Sequence, residues 1–216
     1  MTPGLFITLE GIEGAGKSTV ARSVQAWLGQ HGRGAILTRE PGGTPLAERV
    51  RQIVLERGAE RLSAATETLL MFAARGIHLE NLIRPALERG DCVVCDRFTD
   101  ATRAYQGAAR GVDRAWIESL ASQVQGGLQP DCTLLLDLPV PIGLERARSR
   151  HAGATDRFEA EAQAFFERVR AGYLQLAERE PARIHVIDAS VPLAAVERQV
   201  TAVLERLVPV RPGGAS

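Results

Sequence analysis

Lysine is almost absent from this chain. Of 26 basic residues in a sequence of 216, only Lys17 is a lysine and the rest are arginine. Asparagine is equally scarce, with Asn81 its sole representative. Neither sign of charge predominates: 26 acidic residues balance the bases, so no global field points to nucleic acid or an anionic membrane, and any polyanion bound should be small. No apolar stretch approaches the roughly 20 residues needed to span a bilayer, and the N-terminus lacks the basic start and apolar core of a signal sequence, so a cytoplasmic location is expected. Cysteine occurs three times. Cys92 and Cys95 form a C-x-x-C, but within the apparent strand 91–95 that odd spacing sends the two side chains to opposite faces. With Cys132 also in an apolar strand, all three read as small core residues, and neither zinc nor a disulfide is expected.

The lone lysine stands in the run Gly11-Ile12-Glu13-Gly14-Ala15-Gly16-Lys17-Ser18, with Thr19 next. A chain that uses arginine at every other basic position but lysine here suggests a need for a compact ammonium rather than a flat guanidinium. The run fits G-x-x-x-x-G-K-[ST], a nucleotide-phosphate loop. Its context fits too: residues 5–9 read as a short buried strand, and Val20, Ala21, Val24, Trp27 and Leu28 recur at helical spacing. Glycines let the backbone approach phosphates, N–H groups at the helix start face the anion, Lys17 reaches the outer phosphates and the Ser18 hydroxyl would hold Mg²⁺.

Strands are expected at 5–10, 35–39, 91–95, 132–137 and 184–188. Helical patterning covers 17–30, 45–57, 66–89, 113–125, 141–150, 159–179 and 192–207. This alternation implies an α/β fold, a five-stranded parallel sheet with helices on both faces, in a single domain over residues 1–208. Residues 209–216 carry proline and glycine without periodicity and read as a frayed tail. In such a sheet, ligands bind beyond the carboxyl ends of the strands. Two of those ends carry further motifs: Arg39-Glu40-Pro41-Gly42-Gly43-Thr44 after the second strand, and Asp96-Arg97-Phe98-Thr99-Asp100-Ala101-Thr102-Arg103-Ala104-Tyr105-Gln106 after the third. A carboxylate at Asp96 can hold Mg²⁺ through its water, and the Arg97 guanidinium can clamp a phosphate acceptor.

With these motifs in order, and with an arginine-rich segment at 146–157, the chain resembles thymidylate kinase. The resemblance implies the P-loop NTPase fold and transfer of a phosphoryl group from Mg²⁺-ATP to thymidine 5′-monophosphate, a step toward dTTP for DNA synthesis. It implies ATP contacts from residues 11–19 (Gly11, Ile12, Glu13, Gly14, Ala15, Gly16, Lys17, Ser18 and Thr19). It assigns Arg39, Arg51 and Arg97 to the acceptor, with Arg51 on its phosphate, and Arg75 to a thymine carbonyl. Thr102 and Gln106 match positions that face the base edge, and Tyr105 matches a residue whose ring lies under the sugar. Four places before Arg75, where the resemblance leads one to expect a stacking phenylalanine, stands Met71, with Phe72 one place later. One helical step is about 100° of rotation, so either a local shift restores stacking by Phe72 or the Met71 thioether takes the contact. Ala101 replaces a hydroxyl residue common in the motif.

A carboxylate at Glu13, beside a bound triphosphate, is unfavourable unless it serves a neutral group, and the resemblance implies contact with the substrate's 3′-hydroxyl. Family members with an acidic residue here supply the catalytic arginine from a lid. This chain has Arg146, Arg148, Arg150 and Arg157 around the segment 151–155, so a lid is expected at about 146–158, with Arg148 and Arg150 as catalytic candidates beside Lys17 and Arg97. His151 reads as surface. A GTPase-type switch is the rival from another class; it reads guanine through N-K-x-D, which a chain whose only asparagine is Asn81 and only lysine Lys17 cannot form. A kinase for another small acceptor is the closer rival, and an acceptor lacking a pyrimidine edge would leave Arg75, Thr102 and Gln106 unpaired. The family pairs through helices, and the apolar stretch from Leu69 to Leu87 offers such a face, so a homodimer is expected, without nucleic-acid or membrane partners.

Overall fold

In a computed structural model, residues 4–55, 62–149 and 157–208 are described, with side chains in the last span from residue 163 onward. Strands β1 (Phe6–Glu10), β2 (Ala35–Arg39), β3 (Cys92–Asp96), β4 (Cys132–Asp137) and β5 (Ile184–Asp188) form one sheet in the order β2-β3-β1-β4-β5. Every pairing is parallel, and each strand lies within a residue of its sequence-based position. Alternation across the sheet is visible in the packing. Cys92 and Val94 join Ile7, Leu9, Leu134 and Leu136 in one cluster, whereas Val93 and Cys95 join Phe6, Phe98, Leu79 and Ile83 in another. Cys92 and Cys95 therefore lie on opposite faces, and both are buried. Both faces are apolar because helices cover both, which is why the strands read as near-continuous hydrophobic runs.

The helices are α1 (Lys17–Gln30), α2 (Pro45–Leu55), α3 (Ala64–His78), α4 (Arg84–Glu88), α5 (Thr99–Thr102), α6 (Arg114–Gln125), α7 (Val140–Arg148), α8 (Arg157–Arg179) and α9 (Leu193–Leu207). Local chemistry sets several ends. The Ser63 side chain accepts from the Thr66 N–H at the start of α3, Asp113 accepts from Trp116 N–H at the start of α6, and Gly126 closes α6 in the left-handed conformation.

Two elements differ from expectation. The helix read as continuous over 66–89 is interrupted by a π-helical turn, Leu79–Ile83, just before Pro85. Proline has no N–H to donate and its ring collides with the carbonyl four residues back, so a widened turn accommodates it. The second is a helix where none was expected: α5 runs on through a π-helical stretch, Arg103–Ala109, carrying Thr102, Tyr105 and Gln106 on one rod packed against α8. No helix among the described residues is long and apolar enough to cross a membrane. Residues 209–216 and the middle of the expected lid, 150–156, lie outside the described residues.

Candidate active site

The carboxyl end of β1 runs into the loop 11–16 and then α1. Gly11, Gly14 and Gly16 have φ of 130°, 78° and 90°, a region that side chains with a Cβ rarely enter. At Gly14 the missing side chain also allows close packing, since a Cβ there would collide with the Gly143 carbonyl of α7. Inside the loop, Lys17 Nζ donates to the carbonyls of Gly11 at 3.1 Å and Ile12 at 3.0 Å. Burial, followed by repulsion from Arg97, pushes the Lys17 ammonium down to about 8, against the pull of Asp96, Glu13 and Glu10.

Two cavities flank this loop. The first, of about 400 Å³, is lined by Ser18, Arg39 and Asp96 among others. Asp96 Oδ1 is buried and has no hydrogen-bond partner. An orphaned carboxylate oxygen sharing a cavity with the Ser18 hydroxyl is a hard-oxygen donor set, and it fits Mg²⁺. Arg39 is exposed and its Nη2 donates to Glu48 Oε1 at 3.3 Å and Oε2 at 3.2 Å. The Gly43 N–H and then Arg39 hold the Glu48 carboxyl below its usual range, against a partial desolvation.

The second cavity, of about 270 Å³, brings together Glu13, Arg51, Met71, Arg97, Thr102, Tyr105 and Gln106. Arg97 Nη2 donates to Glu13 Oε1 at 3.0 Å, Tyr105 donates to Glu13 Oε2 at 2.8 Å, and the Arg97 guanidinium lies 4.7 Å from the Tyr105 ring centroid. Through Glu13, the phosphate loop thus forms part of this cavity's wall. Burial pushes the Tyr105 phenol above its ordinary range. Arg51 Nη1 donates to the Pro41 carbonyl at 2.9 Å, and burial followed by Arg39 lowers its pKa.

Helical geometry separates Met71 from Phe72. Glu67 and Met71, four apart on α3, line the cavity together. Phe72 is rotated about 100° from that face and is buried with Ile117 and Ala121 of α6. Of the two alternatives, Met71 is the one on the cavity wall, whereas the Phe72 ring lies on the core side against Arg75, with the guanidinium 4.8 Å from the Phe72 centroid and 5.0 Å from that of Phe98. Arg75 lies buried between these rings. Its Nε donates to Glu40 Oε2 at 2.7 Å and its Nη2 to Thr102 Oγ1 at 3.1 Å, while Nη1 has no partner.

The expected lid arginines are only partly described. Arg148 is exposed at the end of α7, and Arg146 Nη1 donates to the Ala189 carbonyl at 2.9 Å. Arg150, His151 and the Arg157 side chain lie outside the description.

Several residues at this site escaped sequence reading. Glu67 accepts from Gln106 Nε2 at 2.7 Å and from Arg110 Nη1 at 2.6 Å, and all three line the cavity with Phe98 and Glu40. The signal for Glu67 was its spacing, four and eight residues before Met71 and Arg75 on one helix. His78, fully buried, bridges Thr38 Oγ1 at 2.7 Å and Glu40 Oε1 at 3.1 Å, and nothing in its local sequence distinguishes it.

A protein-family model described as thymidylate kinase matches residues 9–200. The thymidylate kinase of Pseudomonas putida (strain GB-1) is 58% identical over 205 residues, 95% of this chain and 97% of that protein. That of Pseudomonas savastanoi pv. phaseolicola is 55% identical over 210 residues, covering 97% and 99%. The crystal structure of thymidylate kinase from Ehrlichia chaffeensis aligns with a TM-score of 0.76 at 33% identity, over 94% of this chain and all of the other.

Proposed function

The chain belongs to the thymidylate kinase family and is a nucleoside monophosphate kinase acting on thymidine 5′-monophosphate, and we propose that it does so with Mg²⁺-ATP by a division of labour between the two cavities. Residues 11–19 cradle the donor phosphates, with the Lys17 ammonium exchanging its two loop carbonyls for phosphate oxygens. Ser18 and Asp96 would hold Mg²⁺, which would offset charge on the donor phosphates. The acceptor lies in the second cavity, with Arg51 and Arg97 on its phosphate, Glu13 toward its 3′-hydroxyl and Tyr105 beneath its sugar.

Arg75 Nη1 carries the base assignment. A buried guanidinium nitrogen without a partner costs free energy that a thymine carbonyl would relieve, while Thr102 and Gln106 offer polar groups to the rest of the edge. Met71 takes the place of a stacking aromatic.

An acceptor phosphate is anionic near neutral pH, so its oxygen attacks without a general base. The barrier is repulsion between the two phosphates, lowered by cations held in position: Lys17, Arg97 and an arginine at or just after the end of α7, Arg148 or Arg150. Exposed Leu46, Ile53 and Leu69 on the packed helices α2 and α3 support a homodimer, and three free buried cysteines suit a reducing cytoplasm.

The test is ADP release with Mg²⁺-ATP against thymidine, deoxyuridine, deoxycytidine, adenosine and guanosine monophosphates, with the Arg75→Ala variant alongside. Preference for thymidine monophosphate that collapses in the variant supports the base assignment. A variant with unchanged preference removes Arg75 from it.

A further inference from the structure

Arg97 is the one non-glycine residue with positive φ among the described residues, at 72°. L-residues avoid this region because the Cβ approaches the carbonyl, so the turn persists only where its surroundings impose it. One buried side chain holds the backbone just after that turn and, through Tyr173, reaches the Arg97 guanidinium. Glu10, wholly buried on the last position of β1, accepts the Phe98 N–H on Oε1 at 2.7 Å, fixing the backbone directly after Arg97. Its other oxygen accepts the Tyr173 hydroxyl at 2.6 Å. Tyr173, reaching in from α8, spends its only proton on Glu10 and so turns a lone pair to Arg97 Nη1, which donates to it at 3.2 Å and to the Gly11 carbonyl at 3.0 Å.

A carboxylate within a sheet core is a costly group to retain for packing alone. Burial first, and then the nearby Asp100, push its pKa up to about 7, against the pull of Arg97, the Tyr173 hydroxyl and the Phe98 N–H. The turn brings two of these groups to it, Arg97 and the Phe98 N–H, and α8 brings the third. With the Phe98 N–H donating to one of its oxygens and the Tyr173 hydroxyl to the other, Glu10 determines which way that hydroxyl points, and the orientation determines where the guanidinium can rest.

We propose that Glu10 and Tyr173 are positioning residues for phosphoryl transfer: as one unit they hold Arg97 in its left-handed turn and aim its guanidinium at the acceptor phosphate. The inference rests on the assignment of Arg97 to that phosphate. Neither residue touches substrate; both act through Arg97.

The experiment compares Arg97→Ala, Tyr173→Phe, Glu10→Gln and the Glu10→Gln/Tyr173→Phe double variant, with KM for thymidine monophosphate, KM for ATP and kcat measured for each. Tyr173→Phe keeps the ring, which packs edge-on to Tyr105 with centroids 6.3 Å apart, and loses only the hydroxyl. Its kcat/KM for thymidine monophosphate should fall about tenfold with KM for ATP little changed, as expected for loss of one charge-assisted hydrogen bond. Glu10→Gln sets an amide N–H against a donor on one side and should lose more, about a hundredfold, because it disturbs both the Phe98 and the Tyr173 hydrogen bonds and removes one of the two carboxylates near the guanidinium, leaving Glu13. The double variant should be no worse than Glu10→Gln, since parts of one unit are not additive. A Tyr173→Phe enzyme with native constants, or a double variant whose losses multiply, overturns the proposal. If Glu10→Gln does not fold, Tyr173→Phe alone decides it. Arg97→Ala separates the two readings: if that variant retains activity the clamp assignment itself falls, whereas if it is inactive and Tyr173→Phe is native, only the positioning role falls.

Discussion

Arg75 and Glu40 form a buried ion pair at 2.7 Å, with side chains only 2% and 3% exposed. Glu40 stands in the R-E-P-G-G-T segment and Arg75 on α3, so the pair ties the loop after β2 to the helix whose Glu67 and Met71 line the second cavity. Glu40 also accepts from His78, and one carboxylate thereby orients two side chains. Replacing Glu40 by Ala leaves a guanidinium uncompensated in the core, and the loss should be about 3–5 kcal/mol in a denaturant titration. Glu40→Gln, which retains one acceptor, should lose less.

Thr102 links this pair to the cavity, accepting Arg75 Nη2 on its hydroxyl. Thr102→Val preserves shape and removes that acceptor. KM for thymidine monophosphate should rise roughly 5- to 10-fold, in line with the typical 1–1.5 kcal/mol of one buried hydrogen bond, while kcat stays near native. Steady-state kinetics with the acceptor varied at saturating ATP would reveal it.

Lys17 links nucleotide binding to protons. Burial holds its ammonium down at about 8 in the free protein, well below an ordinary lysine. Triphosphate restores the favourable charge environment and raises it again, so at pH 8 binding should draw up about half a proton, and affinity should weaken as pH rises through 8. Calorimetry of ATP-analogue binding in two buffers of different ionisation enthalpy measures the uptake. The Lys17→Ala variant should lose it, along with most turnover.

Gly143 tests how tightly the phosphate loop is seated. It lies inside α7 with ordinary helical backbone, yet a Cβ would stand 2.7 Å from the Glu13 carbonyl and 2.9 Å from Ile12 Cδ1. Gly143→Ala must therefore push the loop outward. Stability should fall by about 1–3 kcal/mol in spite of alanine's better helix propensity, and KM for ATP should rise. A thermal scan with ATP kinetics checks both.

Local pattern carried far in this chain. Periodicity and punctuation located all five strands to within a residue, because a strand buried on both faces announces itself as an unbroken apolar run between turn residues. The opposite facing of Cys92 and Cys95 followed from a period of two, and the glycines and lone lysine of residues 11–17 marked the phosphate loop. Of the second cavity's lining, Thr102, Tyr105 and Gln106 stand in the sequence motif, while Arg75 lies buried behind the wall, hydrogen-bonded to Thr102. What the sequence could not decide were contacts between residues distant along the chain. Whether Met71 or Phe72 faces the cavity turns on how α3 rolls against α6, and a rotation of one residue exchanges them. The helix through Thr99–Ala109 packs along α8, a contact that its local sequence does not announce. Tyr173 lies 163 residues from Glu10 in sequence, and on its own helix it reads as one more apolar position. Only tertiary structure brings its hydroxyl to the carboxylate and the guanidinium, because hydrogen bonds depend on distance and direction in space, which one-dimensional spacing encodes only within a single helix or strand.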